Sequence, residues 1–276
     1  MRPNRKYFLC AAITALLTLF PEKLFSQWYG AAEYRLGINK RSISALEIEQ
    51  TNVAGSVANP YTLGGYTFSA GYAFRPDSLN VAFSAGLSHL RSRSNNILYT
   101  QLPYFTTTSA IEHSTITADL GLSLEFKIKN INSSTGFSLL LPISMNGLEL
   151  QQTLTPSVMI EERRAISYRK GPGIRFHQDF SLWNRGRTTF FAGVSAGWIS
   201  AMRKSRNLLG ENPTVPVSQR ELKYLTDRQI SEKGNINDPS LSGFNPDLPM
   251  ETTTYNEPIS YVALKMGVSF CIHKNP

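Results

Sequence analysis

Strict alternation of apolar and polar residues is the feature of this sequence that most constrains its fold. From Thr115 to Ile128 every even position is apolar, and every odd position is polar or small. Successive side chains of a β-strand point to opposite faces of the sheet. The segment therefore predicts one long strand with a wholly apolar face.

Seven further segments repeat this alternation, and none of them has a helical period. Their polar rows consist mostly of Gly, Ala and Ser, which suit the crowded inside of a narrow barrel. A tilted membrane strand needs about 9–11 residues to cross a bilayer core of about 30 Å. Most of the segments are close to this length. The eight candidate strands cover residues 28–38, 66–74, 81–88, 115–128, 136–143, 173–182, 189–198 and 261–272.

The connections between these segments alternate between short and long. Tight turns are predicted at residues 75–78, 130–133 and 184–186, and longer loops at about residues 40–60, 91–113, 147–166 and 202–257. Membrane barrels have short turns on one side and long loops on the other. We therefore predict an all-β fold, a closed antiparallel eight-stranded transmembrane β-barrel with short periplasmic turns and long external loops. The alternative is a soluble sandwich or lipocalin-like barrel with its apolar rows inward.

The N-terminus has the plan of a secretory signal peptide. Arg2, Arg5 and Lys6 precede the uncharged run Tyr7–Phe20, and Ser26 supplies a small residue for cleavage. The run is short for a spanning helix, although an N-terminal membrane anchor is the alternative. The predicted organisation is a signal peptide over 1–26 and a barrel domain over 27–276.

These features together resemble the small outer-membrane β-barrels, a group that includes the OmpA transmembrane domain, OmpX, OmpW and the PorT-like outer-membrane β-barrel domain family. The resemblance covers residues 27–272 as a pattern, without a motif for one member. The end of the last segment, Val268–Ile272, resembles the signal that the barrel-assembly machinery reads, except that His273–Pro276 follow it. The resemblance implies a multi-pass β-barrel in the cell outer membrane of a Gram-negative-type envelope. It also implies outer-membrane lipid and the barrel-assembly machinery as partners.

The polar rows contain charges of both signs. Because an unpaired buried charge is costly, we predict ion pairs inside the barrel rather than an open ion path. Closure of the barrel places the first and last strands side by side, which brings Glu33 near Lys265. A gated channel is the alternative. The predicted interior residues are Glu33, Arg35, Asp119, Glu125, Lys127, Arg169, Arg175, His177, Asp179 and Lys265.

Aromatic residues gather near the ends of the segments. Aromatic girdles mark the two lipid interfaces of membrane barrels. The predicted interface residues are Trp28, Phe74, Phe126, Trp183, Trp198 and Phe270.

One short motif has the residue types of acyl-transfer chemistry. Glu112, His113 and Ser114 supply an acid, a base and a hydroxyl, as lipid A deacylases and acyltransferases do. Adjacent residues of a strand point to opposite faces, however, so His113 and Ser114 are not expected to meet. We therefore expect no enzyme. The four scattered histidines indicate no metal site, and no motif indicates a cofactor.

The loop 202–257 is the strongest functional feature, because loops of this length are usually functional or disordered. Ser218 to Glu221 has the form of a capping box, which predicts a short helix over about 218–230. The predicted function is a structural or interaction role through the external loops, with a protein or glycan partner and no nucleic acid. The alternatives are a variable loop without a ligand, a narrow OmpW-like pore for small solutes, a lipid A-modifying enzyme, and a PorT-like component of a secretion machine.

Overall fold

The computed structural model describes residues 26–39, 56–58, 61–74, 80–98, 106–128, 131–154, 159–210, 215–254 and 256–274. Residues 1–25 of the predicted signal peptide lie outside the described residues. So do the predicted turn 75–78 and most of the predicted loop 40–60.

The described chain is almost entirely β-structure, with eight long strands and several short elements. The prediction of eight long strands is confirmed. The elements are β1 (Ser26–Asn39), β2 (Ser56–Ala58), β3 (Tyr61–Phe74), β4 (Asn80–Leu98), β5 (Thr106–Ile128), β6 (Ile131–Leu154), β7 (Met159–Arg185), β8 (Thr188–Leu208), α1 (Val217–Arg220), β9 (Glu221–Leu225), α2 (Asp227–Lys233), β10 (Met250–Thr253) and β11 (Ile259–Lys274).

The eight long strands form a ring in which every neighbour is antiparallel. Going round the ring, the order is β1, β3, β4, β5, β6, β7, β8, β11 and back to β1. At the seam, β1 pairs with β11 from Gln27 opposite Lys274 to Asn39 opposite Tyr261. A tight turn through Gly186, at φ 61°, joins β7 to β8 and marks what we call the turn end of the ring. The opposite end, where residues 209–258 follow β8, is the loop end.

The polarity of the two faces of the ring wall is the reverse of that in a water-soluble protein. The outward row is apolar and exposed, with Phe68 at 59% and Leu264 at 68% exposure. The inward row holds buried charges, with Arg35 at 0% and Asp119 at 4%. The described strands therefore exclude the alternative in which the apolar rows pack together inside.

Strands β4 to β8 are longer than predicted. They run through most of the predicted loops 91–113 and 147–166, and β8 continues to Leu208. The alternation disappears in these extensions because both faces carry polar residues, so hydrophobic periodicity gave no signal there. Within the described ranges, β4 to β8 extend further towards the loop end than β1, β3 and β11 do.

The long loop also differs from its prediction. Val217–Arg220 forms one short helical turn, and residues 221–225 form β9, which pairs with β8 and β10. The capping box lies at Thr226 and Gln229, at the start of α2, and not at Ser218. Strand pairing of residues 221–225 thus prevails over local helical propensity. No helix within the described ranges is long and apolar enough to cross a membrane.

Candidate functional site

The interior of the ring holds a polar cavity of about 680 Å³. Asn184, Gly186 and Arg187 line it at the turn end, whereas Asp119 and Arg175 line its inner end. Cavities of about 300–1,000 Å³ are the usual size for small-molecule sites. This cavity is the first candidate site.

A three-strand ion-pair network crosses the seam beside the cavity. Lys265 Nζ lies 2.7 Å from Asp179 Oδ2 and 3.2 Å from Glu33 Oε2. Arg35 also bonds to the Glu33 carboxylate. Since Lys265 and Glu33 face inward on paired strands, closure of the ring brings them together. Lys265 is thus the shared cation for two buried carboxylates.

A second network links β4, β5, β6 and β7. Arg175 Nη1 donates to Asp119 Oδ2 at 2.7 Å, and Arg175 Nη2 donates to Ser138 Oγ at 3.2 Å. Asp119 also accepts hydrogen bonds from Ser88 and Thr117. A carboxylate that is paired and hydrogen-bonded in this way can remain ionised inside a protein.

The other predicted interior residues lie at different places. His177 Nε2 lies 3.9 Å from Asp179 Oδ2, and Glu125 and Lys127 line the cavity towards the turn end. Arg169 instead donates to Gln229 on α2, so it belongs to the loop contacts and not to the cavity.

An apolar cluster fills the ring between the cavity and the loop end. Its members are almost fully buried. They include Leu63, Leu90, Leu140, Ile166, Tyr168, Ile199 and Tyr261.

The loop end carries a further buried ion pair, which the sequence did not reveal. Arg203 Nε and Nη2 donate to Glu257 Oε2 and Oε1 at 2.7 and 3.3 Å. Arg203 Nη1 donates to the Tyr224 hydroxyl on β9 at 3.2 Å. These contacts fasten the end of the segment 209–258, and β9 within it, to β8 of the ring wall. The residues are 54 positions apart, too far for a spacing pattern to indicate.

Asn237 organises the middle of the same segment. Its Nδ2 donates to the carbonyls of Asn245, Leu248 and Pro249 at 2.9–3.1 Å. Its backbone N–H donates to Glu251, which also binds Lys233. Burial opposes ionisation of Glu251, but these two hydrogen bonds outweigh it and hold the pKa of this carboxyl below its usual value. The loop is therefore an ordered, hydrogen-bonded structure.

The Glu112, His113 and Ser114 side chains have three separate sets of partners. Glu112 pairs with Arg91 at 2.6 Å, and Ser114 Oγ lies 2.9 Å from His89 Nε2. His113 is buried inside the ring, with Nδ1 3.1 Å from the Tyr168 hydroxyl. The structure does not assemble these three residues into one site.

The predicted interface aromatics lie mostly at one level of the ring. Trp28, Phe126, Trp183, Trp198 and Phe270 are 39–51% exposed on the outside. Phe74 stacks edge-on with Tyr72, at 4.7 Å between ring centroids. Trp198 lies nearer the loop end than the others, opposite Ser260 and Ile174.

Comparison with known proteins gives matches to solved structures alone. No family model matches the chain, and no curated protein matches it. Neisserial surface protein A matches at 10% identity and a TM-score of 0.31, covering 90% of this chain and 99% of that one. The outer membrane protease OmpT from Escherichia coli matches at 7% identity and a TM-score of 0.37, covering 91% and 97%. A deltaS2 mutant of the monoaromatic hydrocarbon channel TodX matches at 7% identity and a TM-score of 0.24, covering 94% and 93%.

At these identities and TM-scores the matches carry no argument about class, family, ligand or partner. The narrower resemblance to OmpA, OmpX, OmpW or PorT-like proteins stays a prediction.

The expectation that the chain is not an enzyme is corrected by one of these matches. OmpT is named as a protease, so the lack of a catalytic motif in the sequence does not show that this chain is no enzyme. The match itself assigns no activity to this chain.

Access to the cavity can be measured with Cys271, which lines it near the turn end. We expect a small water-soluble methanethiosulfonate reagent to modify Cys271 in the detergent-folded protein within minutes. A reagent coupled to a large polymer should not react, because the ring excludes it. Mass spectrometry of the intact protein reports both reactions, and Cys271→Ser is the blank. Equal reaction with both reagents would contradict a cavity enclosed by the ring.

Proposed function

We propose that this protein is an integral outer-membrane β-barrel whose loop end binds a partner protein at the cell surface. The observation that carries the proposal is an apolar belt around the outside of a ring whose inside is charged. Phe, Leu, Ile and Val side chains are exposed on all eight long strands. An exposed apolar patch beyond about 400 Å² on a soluble protein marks a contact surface, and a continuous belt is typical of contact with lipid.

The height of the belt supports a membrane location. Phe270 lies opposite Thr188 at the turn end, and Trp198 lies ten residues further along β8. Ten residues at about 3.4 Å span about 34 Å along the strand, or about 25 Å once a tilt of about 40° is included. That is about the height of the apolar band of outer-membrane barrels.

The outside of the wall becomes charged beyond this belt. Arg91 pairs with Glu112 and Arg163 pairs with Glu161, at 2.6 and 2.8 Å, and both arginines are about two-thirds exposed. Such pairs are stable in water and costly in hydrocarbon. The extensions of β4 to β8 and the ordered segment 215–254 therefore belong on the aqueous side.

The loop end exposes apolar side chains on an ordered scaffold. Leu209, Leu241 and Leu248 are 47–51% exposed at the loop end. Apolar side chains held by an ordered scaffold favour a protein partner, whereas a glycan would call for more polar contacts. A PorT-like role in a secretion machine is one form that such a partnership could take.

The membrane part of the proposal can be tested by heat modifiability. We expect the unboiled protein from an outer-membrane fraction to migrate anomalously on a denaturing gel. The boiled protein should migrate at the mass of its polypeptide, which is below the 30.8 kDa of the full chain once residues 1–26 are removed. Recovery of the protein in the soluble fraction, with the same band before and after boiling, would contradict a membrane location.

In planar bilayers we expect no steady conductance, since the apolar cluster fills the ring. A stable single-channel current would favour the narrow pore.

The partner can be sought with a photo-crosslinking residue at Leu241 or Leu248 in living cells. We expect one defined protein adduct from these positions. The matched control is Leu264, which is on the lipid-facing belt and should give no protein adduct of that size. Equal adducts from Leu264 would contradict a loop-specific partner.

A further inference from the structure

We propose that the outer wall around β4 holds a binding site for a membrane lipid with a phosphorylated headgroup. This site presupposes the proposed membrane location of the ring, and it is separate from the partner at the loop end. We call the surface the arginine patch, and it consists of Tyr34, Gly64, Tyr66, Arg91 and Arg93.

The patch lies where the outward row of β4 changes from apolar to charged. Leu87 is 55% exposed on the outside, and Arg91 and Arg93 are exposed on the same face further towards the loop end. On β5 the change falls at the same level, since Ile116, which is exposed and apolar, lies opposite His89. The patch is therefore the first charged surface beyond the apolar belt, at the depth of lipid headgroups.

Two guanidinium groups share one carboxylate in this patch. Glu112 Oε1 accepts a hydrogen bond from Arg91 Nε at 2.8 Å and lies 2.6 Å from Arg91 Nη2. Arg93 lies opposite Glu112 in register but makes no ion pair with a described residue. The residues opposite these rows on β3 and β6 are uncharged, namely Thr62, Gly64, Asn146 and Leu148. The described residues thus leave an excess of positive charge on the patch.

A notch in the wall lies beside Arg91. Gly64 is opposite Arg91 on β3, and a Cβ at this glycine would meet only the Tyr34 hydroxyl, at 3.5 Å. Tyr34 and Tyr66 are 51% and 47% exposed on either side of it. Their hydroxyl groups can donate to phosphate or sugar oxygens. Tyrosine at this depth is typical of a membrane interface.

The lower edge of the patch is fixed by contacts between side chains. His89 Nε2 lies 2.9 Å from Ser114 Oγ on β5, and the His89 ring centroid lies 5.2 Å from that of Tyr66. Arg91 is held by Glu112 in the same way. The polar groups are therefore ordered before a ligand arrives, which lowers the entropic cost of binding.

The belt below the patch selects a lipid as the occupant. Leu36, Phe68 and Leu87 are 55–59% exposed on β1, β3 and β4. Acyl chains that cover these side chains place their headgroup against the notch. Arginine binds phosphate oxygens through parallel hydrogen bonds, and basic residues beside a membrane attract anionic lipids. A free phosphate ion would gain the polar contacts alone, so the same chemistry favours the lipid.

The test is native mass spectrometry of the detergent-folded protein with two lipids that differ in their phosphate alone. Dioleoyl phosphatidic acid should bind about tenfold more tightly than dioleoylglycerol. Inorganic phosphate, in a third arm, should not displace phosphatidic acid at equal concentration. Equal binding of the two lipids, or displacement by inorganic phosphate, would overturn the proposal.

The double variant Arg91→Gln, Arg93→Gln should bind phosphatidic acid about tenfold more weakly than the wild type. The matched control is Arg163→Gln, Arg228→Gln, which also removes two exposed arginines, each paired with a glutamate elsewhere. Gly64→Phe keeps both charges of the patch but fills the notch, so it should weaken binding as well. Wild-type affinity in the double variant or in Gly64→Phe, or an equal loss in the control, would place the lipid elsewhere and overturn the proposal.

Heat modifiability separates the lipid site from the membrane location that it presupposes. All these variants should keep the gel shift and the outer-membrane fractionation of the wild type. A wild-type protein in the soluble fraction would contradict the membrane location, whereas a membrane-embedded protein without preference for phosphatidic acid overturns the lipid site alone. Loss of the protein adduct from Leu241 in the double variant, with lipid binding unchanged, would assign the patch to the protein partner instead.

Discussion

Replacing Lys265 with methionine is expected to lower the free energy of unfolding by about 3–5 kcal/mol, since it leaves buried carboxylates without their cation. Lys265 Nζ serves both Asp179 and Glu33, at 2.7 and 3.2 Å, and its side chain is 5% exposed. Methionine has a similar length, so loss of packing contributes little. Urea unfolding in detergent micelles, followed by tryptophan fluorescence and by gel migration, measures the change.

Two further variants make this result specific. Lys204→Met removes an exposed lysine from β8 and should leave the midpoint unchanged. Adding Glu33→Gln to Lys265→Met should recover part of the loss, because one stranded charge is removed. If Lys265→Met unfolds at the wild-type urea concentration, the seam pairing is not a source of stability.

Replacing Arg203 with methionine is expected to release the segment 209–258 from the ring while the ring itself stays folded. Arg203 holds Glu257 through two hydrogen bonds and Tyr224 through a third, and it is 2% exposed. Loss of a buried partner of this kind costs about 3–5 kcal/mol. We expect trypsin to cleave at Arg220 or Lys223 at least tenfold faster than in the wild type.

The matched control for this experiment is Arg228→Met. Arg228 pairs with Glu232 on α2 at 2.8 Å, but its side chain is 87% exposed, so the pair contributes little. Cleavage of this variant should follow the wild type, and the heat-modifiable gel shift should survive in both variants. Unchanged cleavage of Arg203→Met would show that other contacts hold the loop.

The orientation of the strands could be predicted because outward-facing and lumen-facing positions alternate with a period of two. Each apolar row, such as Ile116 to Ile128, is long enough to fix its face without knowledge of its neighbours. The contact between Glu33 and Lys265 could also be predicted, because closing a ring forces its first and last strands to pair. Both inferences rest on local pattern and on a single topological constraint.

The upper part of the molecule could not be predicted in the same way. Beyond the apolar belt polar residues occur on both faces of β4 to β8, so the sequence around Arg163 and Glu161 has the composition of a loop although it forms a strand. The spacing of the apolar residues in 221–225 predicts a helix. These residues instead form β9, because they pair with the open edge of β8 at Ser205–Asn207. The Arg203–Glu257 pair depends on where the whole segment returns to the wall, and no local sequence signal contains that information.

The ring can close only after both β1 and β11 have been synthesised, because these two strands pair at the seam. Glu33 and Lys265 are 232 positions apart, so β1 has no partner at the seam until β11 has been synthesised. Until then β1 and β8 both present open edges, which are prone to aggregate. A nascent polypeptide stalled before residue 259 lacks β11 and therefore cannot close the ring.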